Sequence, residues 1–130
     1  MDIQTKPEFE TFQQTLTKLI QENQRLGWEG YENLTDEWKA DKLKTVQYTK
    51  GRKYLKLFTV EANGRKMLYA FLDNDGNLYK SASWNAPAKH VRGNIFNEDN
   101  GLNCCGPYGV AYLRGGSIGF GRKVQENVIG

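Results

Sequence analysis

Apolar residues recur at three- and four-residue intervals near the start of the chain, which places one apolar stripe along a helix. The stripe consists of Phe9, Phe12, Leu16, Leu19, Ile20 and Leu26. Pro7 suits the first turn of this helix, and Gly27 is a natural C-terminal stop. Thr5 and Glu8 have the spacing of a capping box. A second, shorter helix is predicted at about residues 35–44, with acidic residues in its first turn.

The hydrophobic period changes to two from Thr45 onwards. Val46 and Tyr48 alternate with polar neighbours, and residues 54–60 and 67–72 are rich in the aromatic and branched residues of strands. Asn63 and Gly64 form a strong hairpin signal, residues 50–52 and 74–76 indicate further turns, and residues 78–80 start another strand. The pattern predicts an antiparallel meander of about three or four strands with one face covered by the helices.

The predicted fold class is therefore α+β, with N-terminal helices packed on a C-terminal antiparallel sheet. The length of 130 residues suits one domain. Residues 1–44 form its helical part, and residues 45–130 form the sheet and the ligand-binding loops. An oligomer is expected, since the hydrophobic share of 38% is low and much of the surface is polar.

Residues 81–96 drop the alternation of the strands before them, and we interpret this stretch as a functional loop. It contains one large aromatic residue, two amides and three potential cations: Trp84, Asn85, Asn94, Lys89, His90 and Arg92. An aromatic face, amide edges and a guanidinium group suit a ligand that has a base, riboses and phosphates. The alternative is a tryptophan that fills the core beneath an ordered loop, with solvated charges around it.

The C-terminal part combines loop, strand and glycine-rich patterns. Residues 97–109 have no period and predict a long loop, whereas residues 110–114 predict a short strand that carries Tyr112 and ends at Arg114. A cation at a strand end beside a glycine turn can be held rigidly at a pocket mouth. The glycine-rich residues 115–122 indicate either a hairpin or a backbone cradle for phosphate, and they lack the Lys-Ser/Thr pair of a P-loop.

The net charge of +3 is unevenly divided. Residues 1–40 contain eight acidic and four basic residues, whereas residues 41–130 contain seven acidic and fourteen basic residues. A basic body of this kind attracts anions, and it can dock against the acidic arm of a neighbouring copy. A solvated acidic helix beside a lysine-rich sheet explains the same division. No apolar run approaches the roughly 18 residues of a membrane span and no leader is apparent, so a soluble cytosolic protein without a membrane partner is expected.

Catalytic and metal-binding patterns are missing from the sequence. The chain has one histidine, and its two cysteines, Cys104 and Cys105, are adjacent, which predicts reduced thiols and no zinc site. Neither a Ser–His–Asp set nor paired carboxylates occur in a recognisable context. We expect a binding protein and not an enzyme, with no metal and no cofactor.

Several short blocks in fixed order resemble small bacteriophage proteins, and in particular the type 1 Thoeris anti-defence proteins. The blocks are Tyr-Ala-Phe-Leu-Asp at 69–73, Gly-Asn-Leu-Tyr-Lys at 76–80, Ala-Ser-Trp at 82–84, Ala-Pro-Ala-Lys at 86–89, Val-Arg-Gly-Asn-Ile at 91–95 and Tyr-Leu-Arg at 112–114. The resemblance implies N-terminal helices, a C-terminal antiparallel sheet and interlocked dimers that assemble further, as a dimer or a trimer of dimers. It also implies a location in the cytoplasm of the bacterial host.

The same resemblance implies a sponge for an immune signal. Such proteins sequester glycocyclic ADP-ribose without cleaving it, and some hold cyclic oligonucleotides at a separate site. Carried onto this chain, Trp84 would stack on the base, Asn94 would supply the amide and Arg114 would hold the phosphates. Arg92 and Lys89 are secondary phosphate candidates, and Tyr112 lies in the same block as Arg114.

Three other functions remain open at the level of sequence. A phage protein that binds single-stranded nucleic acid would use a basic sheet face around exposed aromatic residues. The cations of that face would be Lys53, Lys56, Arg65, Lys66 and Lys80. The chain could also be an enzyme that hydrolyses the messenger, or a structural phage protein without a small ligand.

Overall fold

The structure, a computed structural model, describes residues 2–110 and Phe120. Its helices are α1, Pro7–Trp28, and α2, Asp36–Lys42, and two short 3₁₀ turns occupy Ile3–Thr5 and Leu102–Cys104. Its strands are β1, Lys44–Lys50; β2, Tyr54–Glu61; β3, Lys66–Asp73; β4, Asn77–Ser83; and β5, Ala86–Asn94. The strands form one antiparallel sheet in the order β1-β2-β3-β4-β5. The α+β class and the meander are confirmed.

Helix α1 begins at Pro7, as predicted, and buries its apolar stripe at Phe9, Phe12, Leu16, Leu19 and Ile20. The predicted capping box is wrong, because Thr5 lies in the preceding 3₁₀ turn and its hydroxyl donates to the carbonyl oxygen of Asp2. The predicted stop at Gly27 is also wrong by one residue, since the helix continues to Trp28. The left-handed backbone conformation that glycine favours occurs instead at Gly30, where φ is 86°.

Helix α2 is shorter than predicted. The Thr35 side chain caps it by accepting a hydrogen bond of 3.0 Å from the backbone N–H of Trp38. It ends at Lys42, because Lys44 already pairs with Glu61 at the start of β1. None of its residues is buried, so α2 lies on the surface and does not extend the core.

Among the described residues the sheet has five strands, whereas the pattern predicted three or four. The additional strand is β5, which occupies the stretch that was predicted to be a loop. The loop prediction is wrong because the β4–β5 pairing contains repeated register shifts, and such irregularities break the period of two in the sequence. Pro87 is tolerated there because β5 is at the edge of the sheet, where one side of the strand needs no ladder partner.

The other sheet edge, at β1, is closed by polar side chains of α1. Gln13 donates to the carbonyl oxygen of Val46 at 2.8 Å, and the Thr17 hydroxyl accepts from the Val46 N–H at 3.1 Å. Gln21 donates to the Lys44 carbonyl oxygen, and Gln24 accepts from the Lys44 N–H at 2.9 Å. Helix α1 thus satisfies the outward backbone groups of Lys44 and Val46, so the first half of β1 does not offer them to another chain.

The hydrophobic core lies between α1 and one face of the sheet. The sheet contributes Val46, Leu55, Leu57, Ala70, Leu72 and Leu78. Tyr69 sits at a bulge between β2 and β3, and its buried hydroxyl donates to the Gly106 carbonyl oxygen at 2.7 Å. Within the described part of the chain, neither helix has the combination of length and apolar character that a membrane crossing requires.

Candidate functional site

The sheet face that points away from α1, here called the open face, carries aromatic and basic side chains. Register places Lys56 opposite Phe71 and Phe71 opposite Tyr79, so these side chains share one face. Leu55 and Leu57 alternate with them and point into the core. The open face therefore consists of the side chains at the even-numbered positions of β2 and of their neighbours across the sheet.

Edge-to-face aromatic contacts form the floor of the open face. Tyr54 meets Phe71 at 5.9 Å and Tyr79 at 5.7 Å between ring centroids. Phe58 meets Trp84 at 5.6 Å with a tilt of 51°. Phe58 and Phe71 are buried without joining the core beneath α1, whereas Trp84 remains 55% exposed. Trp84 is thus the most exposed of these rings.

The β4–β5 turn brings Trp84 to this position. Strand β4 pairs with β3 only at Tyr79 and Leu78 and then leaves β3. The tip of the β4–β5 hairpin consequently reaches β2, where Trp84 contacts Phe58 and Asn85 accepts a hydrogen bond of 3.1 Å from Lys56. The hairpin tip and β2 together create a surface that neither could present alone.

Three lysine ammonium groups lie over the aromatic rings of the open face. Lys53 is 5.7 Å from the Tyr54 centroid and Lys56 is 5.8 Å from that of Trp84. Lys66 lies 4.8 Å from the centroid of Phe58. These distances suit cation–π attraction, which holds the positive charges beside the rings instead of in free solution.

A cavity of about 340 Å³ opens beside this cluster at the β1–β2 turn. Its basic lining residues are Lys50, Arg52, Lys53 and Lys56, its aromatic ones are Tyr54 and Phe71, and Asn85 adds an amide. No carboxylate lines the cavity among the described residues. Lys50 is paired with Asp2, and this hydrogen bond lowers the pKa of the Asp2 carboxyl group. The positive charges of Arg52, Lys53 and Lys56 are therefore available to an anionic ligand.

The structure does not bring the predicted ligand residues Trp84 and Asn94 together. Trp84 precedes β5 and Asn94 ends it, and the nine residues of an extended strand span roughly 25 Å. The Asn94 amide is engaged within the β3–β4 turn region: it donates to the Asp75 carbonyl oxygen at 3.0 Å and to Asn77 at 2.9 Å, and it accepts from the Phe96 N–H. Both ends of this amide are thus used inside the protein.

The remaining predicted site residues are dispersed. Arg92 donates to the His90 carbonyl oxygen at 2.6 Å, and Lys89 is exposed on β5. Tyr112 and Arg114 lie outside the described residues, as does the glycine-rich segment. As ligand contacts, all six residues stay predictions.

The basic face of the nucleic-acid alternative is only partly assembled. Lys53, Lys56 and Lys66 lie on the open face. Lys80 instead donates to the carbonyl oxygen of Val110, a core residue, and Arg65 lines a different cleft. The sequence analysis did not include Arg52 among the cations of this face. Its position in the turn before the alternating Tyr54–Lys56 pattern could have indicated it.

A change in alkaline stability is expected on replacing Tyr79. Burial, together with the hydrogen bond that its hydroxyl donates to Asp73 at 2.9 Å, raises the pKa of Tyr79 to about 12. In the unfolded chain a tyrosine loses its proton near pH ~10, so the folded state retains a proton that the unfolded state releases, and stability falls as pH rises from about 10 to about 12.

Tyr79→Phe should therefore reduce this alkaline loss of melting temperature. Tyr31→Phe, at an exposed position, is the matched control and should leave the loss unchanged. Burial also raises the pKa of Tyr69, so Tyr69 contributes the same alkaline loss of stability in both variants. Equal alkaline profiles for Tyr79→Phe and the parent protein would contradict the assignment.

Comparison with protein families gives one match, over residues 2–112, to a family of unknown function (DUF7717). The match covers most of the chain, so the chain belongs to this family. Comparisons with curated proteins and with solved structures gave no match.

Proposed function

We propose that this member of the DUF7717 family binds an anionic ligand with a heteroaromatic base on the open face, and holds it without chemical change. The observation that carries the proposal is the cavity of about 340 Å³ that is lined by cations, aromatic rings and an amide, with no carboxylate among its described lining residues. This volume lies in the range of small-molecule sites. A nucleotide has each of the groups that this lining can bind.

Each part of a nucleotide has a counterpart on the open face. Trp84 offers an exposed ring for stacking on a base, a contact worth about 1–3 kcal/mol. Arg52 offers a planar guanidinium group that can bind two phosphate oxygens at once. Asn85, already held by Lys56, is oriented to contact a base edge or a ribose hydroxyl.

The proposed ligand is a cyclic ADP-ribose-type signal, glycocyclic ADP-ribose in particular. The support is the resemblance of the sequence blocks to phage anti-defence sponges, together with the compact cavity. In this proposal the protein acts in the cytoplasm of the bacterial host as a homo-oligomer, lowers the free concentration of the signal and blocks the immune response.

Calorimetric titration with the isomers of glycocyclic ADP-ribose tests this proposal. We expect saturable binding, and heat denaturation should release a ligand that is unchanged by chromatography. Recovery of an altered ligand would assign the protein to the enzymes instead. Absence of both binding heat and a shift in melting temperature would reject the nucleotide-sponge proposal.

Single-stranded nucleic acid is the second candidate ligand. It is favoured by the placement of Lys66 over Phe58, which extends the cation–aromatic pattern along β2 beyond the cavity. For an oligonucleotide held by Lys53, Lys56 and Lys66, the logarithm of affinity should fall against the logarithm of salt with a slope of roughly −2. A small cyclic ligand in the cavity should respond less, so the salt slope distinguishes the two.

A further inference from the structure

A second region of the protein holds a lysine that has no counter-charge among the described residues. Lys44, at the start of β1, is 8% exposed. Its backbone groups bond to Gln21 and Gln24 of α1, which hold the residue in place. Its ammonium group lies 5.2 Å from the Tyr108 ring centroid, but no hydrogen bond or ion pair joins it to any of the described residues. The side chain is largely enclosed while its ammonium group has no anionic partner there, so the group is available to bind an external anion.

Lys44 lines a cleft of about 460 Å³ between the end of α1, α2 and the segment around Tyr108. The aromatic rings of the cleft are Trp28, Trp38 and Tyr108. Trp28 and Trp38 meet edge to face at 5.8 Å between centroids, and Tyr108 is 71% exposed. The cleft therefore offers ring surface beside a positive charge.

The charges of the cleft are positive on balance. Its carboxylate, Glu61, lies 4.0 Å from the Lys42 ammonium and also accepts from Asn63. Glu61 is thereby occupied by Lys42, which leaves Lys44 and Arg65 uncompensated among the described residues. Asn23 adds a side-chain amide that makes no hydrogen bond to the described residues.

We propose that this cleft is a second ligand site, separate from the open face, for a nucleoside monophosphate. The phosphate would bind the Lys44 ammonium and the Arg65 guanidinium, since neither group forms an ion pair with the described residues. The base would lie against the ring surface, with its edge towards Asn23. The inference depends on Lys44 and its surroundings, and it does not require the proposed function of the open face.

Tryptophan fluorescence can isolate this site, because the chain has three tryptophans and Trp84 belongs to the open face. In a Trp84→Phe background the emission comes from Trp28 and Trp38 of the cleft. We expect saturable quenching by adenosine monophosphate, and weaker binding of adenosine and of inorganic phosphate, because each lacks half of the contacts.

Lys44→Met in the same background should weaken adenosine monophosphate about tenfold or more, because a hydrogen bond to a charged group is lost. Lys18→Met, at an exposed position of α1, makes the same charge change and should leave the affinity unchanged. Equal affinity for Lys44→Met and its parent, or quenching that does not saturate, would overturn the proposal.

Stability gives an independent measurement on the same variant. Lys44→Met keeps the aliphatic volume of the side chain, so the variant should remain folded, with a melting temperature close to that of the Trp84→Phe parent. A large drop in melting temperature would mean that weaker binding reflects unfolding, and the fluorescence titration would then be repeated with Lys44→Gln, for which parent-like affinity would overturn the proposal.

Discussion

Replacing Lys53 and Lys56 together with methionine is expected to lower the affinity for the cyclic nucleotide about a hundredfold or more. Each lysine lines the basic cavity, and a hydrogen bond to a charged group contributes about 1.5–3 kcal/mol. Loss of two such contacts amounts to about 3 kcal/mol, and each 1.4 kcal/mol changes the dissociation constant about tenfold. Methionine retains most of the aliphatic stem, so the packing against Tyr54 and Trp84 is largely preserved.

The matched control is Lys6→Met with Lys18→Met, which changes the net charge equally at positions on α1 or just before it. Calorimetry should show parent-like affinity for this control at moderate ionic strength. Equal weakening in both double variants would mean that the whole field of the protein attracts the ligand, and that the cavity is not its site.

Asn94→Ala is expected to lower the free energy of unfolding by about 2–3 kcal/mol and to leave ligand affinity unchanged. The substitution removes the two bonds donated to Asp75 and Asn77 and the one accepted from Phe96. Hydrogen bonds of this kind contribute about 0.5–1.5 kcal/mol each. Denaturant unfolding measures the first effect, and titration of the folded variant measures the second.

Asn85→Ala is expected to have the reverse effects, with little change in stability and a loss of ligand affinity. Asn85 is exposed in the β4–β5 turn and accepts a single bond, from Lys56, so its removal should change stability little. It lines the cavity, and its loss should weaken the ligand. If instead Asn94→Ala abolished binding while Asn85→Ala did not, the site would lie at the end of β5, as the sequence resemblance implies.

Hydrophobic period predicted helix α1 and strands β2 and β3 well, because each buries several apolar residues against the core. Strands β1 and β4 contribute Val46 and Leu78 to the core and were indicated by their alternation and by the turns beside them. Pro7 at the start of α1 and the turns at residues 63–64 and 74–76 are local signals that depend on backbone chemistry alone. The α1 side chains that bond to the backbone of β1 include Gln13, Thr17 and Gln21. Their four-residue spacing forms a polar row along one side of the helix, and this row can be recognised in the sequence.

Strand β5 could not be predicted from period, because its pairing with β4 is irregular and neither of its faces is buried continuously. The residue types of residues 81–96 predicted a functional surface in this hairpin. They could not indicate which of those residues share a site, because Trp84 and Asn94 lie at opposite ends of an extended strand.

The sequence by itself determined the α+β class and the basic charge of residues 41–130, because these follow from composition and local spacing. Only the tertiary structure decided which residues meet. Trp84 joins Phe58 and Lys56 because the β4–β5 hairpin departs from β3 and reaches across to β2. Lys44 meets the Tyr108 ring because α1 holds its backbone and the segment at Tyr108 lies beside it. Both results depend on contacts between distant parts of the chain, which no local pattern encodes.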